Sequence, residues 1–377
     1  MQVRMDHTIP AKGAAVGLFG GAAVDSDVHI SVPSVKALLP YLNQYWRQQF
    51  LTRGIDRLSW NMTSDPPNAP ITARPDRRPT SGRPGSDFSI LKEKHLDVFG
   101  PSAAIANCIY GGAALHSEDM AAVVCTAVND WIAAEWLDRD PRLRASIVVP
   151  LNNADLAAEE IERRAGDPRF VQVLMLAMGE QPLGKRAHWP IYAAANRHGL
   201  PIGVHAGSLY QHPALAGGYG SYFLEDYVAQ AFGFESCVLS LVSEGVFAKF
   251  PDLKFVFMES GVTWLPAALW RFDKTWRGVR AEVPWVKVPP SQIVRDHIRL
   301  TLQPFDEPEG AGRLERFCEQ MKSDEMVLFS TDFPHWHFEG EAALPISASS
   351  PLARKILWDN PRGTYPRLNA LSPEIAA

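Results

Sequence analysis

The chain has 377 residues, 46% hydrophobic and 21% charged, with a net charge of −5. That is enough apolar material for a large core, and a pI near 6.1 gives no electrostatic footing for nucleic acid. No apolar run reaches the roughly 18 residues a membrane-spanning helix needs, so no membrane partner is expected. Cys108, Cys125, Cys237 and Cys318 form no C-x-x-C pair. This argues against a cysteine zinc site and fits reduced thiols in a cytoplasmic protein.

The first 23 residues read as an N-terminal arm. Gly13 to Val24 is small and apolar, but it is rich in Gly and Ala and runs straight into a strand, so it is not read as a secretory leader. Val24 to Ile30 mixes polar and apolar residues as a short strand does. Side chains alternate along a strand, so Asp27 and His29 share one face. A carboxylate and an imidazole side by side at a strand end suit a divalent metal.

Val35 to Phe50 has helical spacing, with Leu38, Leu42, Tyr45 and Trp46 as an apolar stripe. Six prolines between Asp65 and Gly85 then exclude a helix or a central strand. The span 52–89 is therefore read as a long insertion after the first strand, with the character of a lid or binding arm. Its arginines Arg74, Arg77, Arg78 and Arg83 read as a solvated loop.

From there strands and helices alternate. Strands are expected at Ala103–Cys108, Arg144–Val149, Val171–Leu176, Pro201–His205, Phe255–Met258, Ile298–Leu302 and Val327–Ser330. Helices are expected at Asp119–Asp138, Asp155–Arg164 with Asp155 as its cap, and Trp189–His198 closed by Gly199. Others are expected at Tyr222–Lys249 in more than one piece, Trp264–Trp276 and Gly312–Met321. Pro351 to Trp358 reads as a closing helix, and 359–377 as a tail. Alternating strands and helices imply parallel pairing by right-handed crossovers. Eight such units predict an α/β protein, a single-domain (β/α)8 TIM barrel spanning the chain.

Barrel active sites sit at the carboxyl ends of the strands. There the sequence places Asp27 and His29, then His205, then Glu259-Ser260-Gly261, then Ser330-Thr331-Asp332-Phe333-Pro334-His335. With Trp264-Leu265-Pro266, and in this order, these motifs resemble the amidohydrolase superfamily. The similarity is to the branch that includes aminocarboxymuconate-semialdehyde decarboxylase, and it covers the chain from Val24 to the last barrel strand. The resemblance implies Asp27, His29, His205 and Asp332 as metal ligands, with Asp332 also moving protons. Some members bridge two metals through a carbamylated lysine on strand four. Val171 to Leu176 contains no lysine, so one ion is expected. Zinc is the first expectation and manganese the second. The branch's decarboxylases place a histidine after strand six; here Glu259 stands there, as an acid–base group or as a partner of a metal-bound histidine. His335 is a further catalytic candidate, and His116, His337 and Arg271 are candidates for substrate contact.

The primary reading is a metal-dependent hydrolase acting on a small aromatic or carboxylated substrate, with Asp332 as general base and acid on metal-activated water. The alternative on the same site is a non-oxidative decarboxylase (a carboxy-lyase). A third reading is a barrel that binds a ligand without turnover. Related barrels commonly dimerise, so a homodimer partly burying the Pro-rich 65–85 segment is also expected.

Overall fold

Eight short strands hold the most continuously buried runs of the chain, and they pair side by side in sequence order. They are β1 (Val24–His29), β2 (Ala103–Asn107), β3 (Leu143–Val148) and β4 (Phe170–Leu176), then β5 (Ile202–His205), β6 (Phe255–Met258), β7 (Ile298–Thr301) and β8 (Val327–Leu328). The computed structural model describes residues 18–58, 73–209, 211–306, 312–335 and 343–370. Every strand pair is parallel. The chain around β8 returns to β1 through Ser26 N–H to Phe329 O at 2.9 Å, His29 N–H to Phe333 O at 2.7 Å and Asp332 N–H to Asp27 O at 3.1 Å. The sheet therefore closes on itself as the expected (β/α)8 barrel.

Side chains reinforce the β1–β8 seam. Asp25 is fully buried and accepts four hydrogen bonds: from Asp27 N–H and Thr331 N–H on Oδ1, and from Thr331 Oγ1 and His95 Nε2 on Oδ2. A buried carboxylate is tolerated when its lone pairs are filled in this way.

The helices pack outside the ring, and their ends follow local chemistry. The stretch expected as one helix from Val35 divides in two. Pro40, which has no N–H, lies in a tight 3-10 segment at Val35–Tyr41; a new helix starts at Gln44, where Asn43 accepts from Trp46 N–H at 3.0 Å. Asn153, not Asp155, caps Ala154–Arg164, because its side chain accepts from the N–H groups of Asp155 and Leu156. Asp155 instead occupies the first turn, where its charge favours the helix dipole. The long helical span after β5 breaks into Phe223–Ser243 and Val246–Lys249 at Gly245, which takes φ +79°. The segment beyond Trp358, expected as a tail, continues as the helix Asn360–Thr364 and buries Tyr365 and Leu368 against the barrel core.

Much of the Pro-rich excursion, 59–72, lies outside the described residues. Its return packs onto β1: Ser31 N–H donates to Gly85 O at 2.9 Å, and a Cβ on Gly85 would meet His29 O at 2.9 Å. Only glycine fits there, at φ +77°. Among the described residues no helix is long and apolar enough to cross a membrane, and all four cysteines are free and buried.

Candidate metal centre

β1 and β5 end at His29 and His205; Glu259 follows β6 directly, and Asp332 and His335 follow β8. Barrel closure brings these ends together at one mouth. His29 Nε2 lies 2.9 Å from Glu259 Oε1, 3.0 Å from Asp332 Oδ1 and 3.6 Å from Asp27 Oδ1. His205 Nε2 is 3.0 Å from the same Glu259 oxygen. His335 Nδ1 is 2.7 Å from Asp332 Oδ1 and 3.3 Å from Glu259 Oε1, and its ring stacks on His29 with centroids 4.3 Å apart. His205 Nδ1 donates to Ala206 O at 2.7 Å, so Nε2 is the nitrogen that faces the cluster.

Two backbone positions turn the carboxylates inward. Glu259 has φ +58° and Asp332 φ +53°. Residues with a Cβ rarely occupy this left-handed region, and the strain of doing so concentrates at functional sites.

The electrostatics are unusual for a buried site. Burial pushes the Asp27 carboxyl up to about 6, against the pull of His29 and His205. Burial opposes charge on His29, but Asp27, Asp332 and Glu259 outweigh it and raise the imidazole well above its ordinary value. His205 is likewise raised despite burial, through Glu259 and Asp27. His335 is pushed up to about 9: burial works against this, and Asp332 is the main opposing charge. Burial alone would raise Glu259, yet His205, His29 and His335 hold it well below the usual carboxylate range.

Asp27 Oδ2 and both oxygens of Asp332 are buried and accept no well-formed hydrogen bond. The imidazole nitrogens near Asp332 are close but poorly aimed. Three carboxylates thus converge on three imidazoles, and three of their oxygens are left without a well-aimed donor. A divalent cation would satisfy the orphaned oxygens and balance the charge. Candidate donor atoms from Asp27, His29, His205 and Glu259 lie within 4.8 Å of one another, as do those of His29, Glu259, Asp332 and His335. Nitrogen and oxygen donors of this kind fit a first-row divalent ion.

All four ligands expected from the sequence are therefore at the cluster, together with Glu259 and His335. The remaining candidates are not. His116 is exposed beyond β2, just ahead of the helix Glu118–Ile132. Arg271 is exposed on the outer face of Trp264–Val279; that helix docks through Leu265 and Leu269, which leaves Trp270 and Arg271 toward solvent. His337 lies outside the described residues.

Sequence reasoning passed over two neighbours of the site. Tyr227, on the helix after β5, is raised well above its ordinary value, first by burial and then by the charges of Glu259, Asp332 and Asp27. Asn107, the last residue of β2, donates from Nδ2 to Asp27 Oδ1 at 2.8 Å. It closes a run that reads as plain apolar strand, and only its polar character at a strand end pointed to a role.

A closed (β/α)8 barrel with imidazoles and carboxylates gathered at the strand ends defines a metal-dependent enzyme class. The chain matches the Amidohydrolase family over residues 24–367 and belongs to it. It is similar to gamma-resorcylate decarboxylase of Rhodococcus jostii, with 26% identity over 245 residues, covering 59% of this chain and 69% of that protein. The gamma-resorcylate decarboxylase of a Polaromonas species is 26% identical over 255 residues, covering 63% of this chain and 74% of that protein. Solved structures share the fold. A 5-carboxyvanillate decarboxylase of Novosphingobium aromaticivorans, complexed with manganese and 4-hydroxy-3-methoxy-5-nitrobenzoic acid, superposes with a TM-score of 0.65 at 18% identity over 92% of this chain and 97% of its own. An amidohydrolase of Mycobacterium avium subsp. paratuberculosis does so with a TM-score of 0.67 at 20% identity over 90% and 97%.

Proposed function

We propose that this protein is a metal-dependent carboxy-lyase that releases CO₂, without oxidation, from a hydroxylated aromatic carboxylate. The observation that carries the reading is the buried cluster with unsatisfied carboxylate oxygens, in a chain that covers 69% and 74% of two decarboxylases that handle such acids. Asp27, His29, His205 and Asp332 would hold one divalent ion. That ion would supply the positive charge that binds the substrate's carboxylate and a neighbouring oxygen. Zinc was the first expectation from sequence; the convergence of Glu259 with Asp27 and Asp332 makes the site carboxylate-rich and favours manganese, the metal in the Novosphingobium relative.

In decarboxylation the bond between ring carbon and carboxyl carbon breaks, and the electron pair stays on the ring carbon. A proton must then arrive at that carbon as CO₂ departs. Asp332 is assigned that transfer, and His335, 2.7 Å away, returns the proton to it. Glu259 Oε1, which lies among nitrogens of three imidazoles, faces the same atoms as the ion and is a further candidate ligand. Hydrolysis is the second reading, and one observation favours it: Glu259 stands where the decarboxylases of the resembled branch carry a histidine. Manganese-loaded protein given dihydroxybenzoates and carboxyvanillates should release CO₂ and the matching phenol. Cleavage of aryl esters or amides with no CO₂ from any of these acids would overturn decarboxylation in favour of hydrolysis.

A further inference from the structure

Inside the barrel, below the cluster, polar side chains from successive strands touch one another. Gln172 on β4 donates from Nε2 to Ser146 Oγ on β3 at 2.8 Å and to Asn107 Oδ1 at 3.2 Å. Ser146 Oγ donates to Asn107 Oδ1 on β2 at 2.5 Å. Asn107 Nδ2 then donates to Asp27 Oδ1 on β1 at 2.8 Å. All four residues are completely buried. Gly203 on β5 makes the room: a Cβ there would meet the Gln172 amide at 2.8 Å and Met258 Cε at 2.9 Å.

This chain of bonds has a direction. Asn107 Oδ1 is taken by two donors, so its NH₂ group is the end that faces Asp27. Asp27 Oδ1 is consequently occupied, while Oδ2 is buried and without a donor. A polar group inside a barrel costs stability unless it is bonded, and hydrogen bonds in series polarise one another. We infer that Asn107, oriented by Ser146 and Gln172, is a positioning residue that fixes the Asp27 carboxylate through Oδ1, the oxygen 3.6 Å from His29 Nε2, in the orientation from which it meets the ion. The residues that set the metal's affinity therefore extend across β2, β3 and β4, none of which contributes a ligand. This rests on the metal-site reading above and goes beyond it.

The test is manganese affinity, measured by calorimetry or chelator competition on the full chain, with thermal unfolding of the metal-free protein recorded beside it. Partners of ligating groups typically change metal affinity by about 10–100-fold when removed. Asn107→Leu should weaken manganese binding by about that factor. Ser146→Ala removes a donor to Asn107 with little change of volume and should weaken it by a smaller factor. Affinity equal to that of the unsubstituted protein in every variant that folds would overturn the inference, and if Asn107→Leu fails to fold, Ser146→Ala alone decides. If the unsubstituted protein takes up no manganese, zinc or other first-row divalent ion, the metal-site reading falls and this inference with it. Normal uptake by wild type and variants alike removes only the inference about Asn107.

Discussion

Two histidine–carboxylate groups are buried within a few residues of each other at the β1–β8 seam, and they are built on opposite terms. In the first, Asp25 Oδ1 and Oδ2 receive four donors from Asp27, Thr331 and His95, and the ring of His95 packs between Phe99 and Phe333. In the second, two residues further along β1, Asp27 Oδ2 and both Asp332 oxygens have no hydrogen-bond donor, and three imidazoles crowd one oxygen of Glu259. Residue types and burial are nearly the same. What differs is satisfaction of the carboxylate: both Asp25 oxygens are filled and tie the seam together, whereas Asp27 Oδ2 and both Asp332 oxygens are left unfilled where a cation would complete them. A buried carboxylate is thus read as structural or functional by counting its donors.

The comparison can be broken most sharply at Asp332. Asp332→Asn keeps the shape and one oxygen but removes the proton-transfer group. We expect a loss of about 10²–10⁴-fold in turnover, in kcat more than in KM, with most of the metal retained. Near-normal kcat in metal-loaded Asp332→Asn would move proton transfer to His335.

Removal of Asp25 should act on the other side of the comparison. Asp25→Ala strands Thr331 and His95 inside the seam, and loss of one partner from a buried charged set costs about 3–5 kcal/mol of stability. Denaturant unfolding measures this; a change below about 1 kcal/mol would show that the seam group is dispensable.

His29→Ala and His205→Ala should each lower the ion content well below one per chain, by elemental analysis, while the barrel still unfolds cooperatively near the temperature of the metal-free wild type. A full complement of metal in either variant would contradict the ligand assignment.

The smallest expected effect is a pH dependence arising from the second group. In metal-free protein His335 is pushed up to about 9, from an ordinary value of 6.5, and Asp27 up to about 6 from 3.8. A group whose folded value is raised favours the folded state most at low pH. Its contribution is complete below the unfolded value and falls as pH rises through the folded one. Metal-free protein should lose stability as pH rises through the Asp27 range toward 6, and again from about 6.5 to 9. The ion competes with those protons, so its affinity should rise with pH over the same interval. Melting temperatures with and without chelator read both slopes, and parallel slopes would remove the link between the two.

Much of the architecture was legible before any tertiary information. Side-chain alternation put Asp27 and His29 on one face, and the alternation of strand and helix implied a parallel barrel with Asp27, His29, His205, Glu259 and Asp332 at one mouth. Those features depend on periodicity and on chain order, which a sequence states directly. Breaks set by single residues were less visible. Pro40 divides the first helical stretch, and Asn153 displaces Asp155 as a cap, because hydrogen bonds to particular N–H groups decide where a helix begins. Arg271 has a residue type suited to carboxylate binding, but helix docking through Leu265 and Leu269 turned it to solvent.

What the tertiary structure alone decided is which polar groups meet. Asp25 and Thr331 are separated by 306 positions, and Asn107 and Asp27 by 80; each pair becomes adjacent only through strand order, register and barrel closure. The same sequence run that reads as apolar strand at Ala103–Asn107 ends in the side chain that aims Asp27. No local pattern encodes that, because a hydrogen bond between strands depends on the neighbour's register as much as on the residue itself. The left-handed backbone at Glu259 and Asp332 is likewise imposed by surrounding packing against the preference of residues that carry a Cβ, and so only the folded barrel could reveal it.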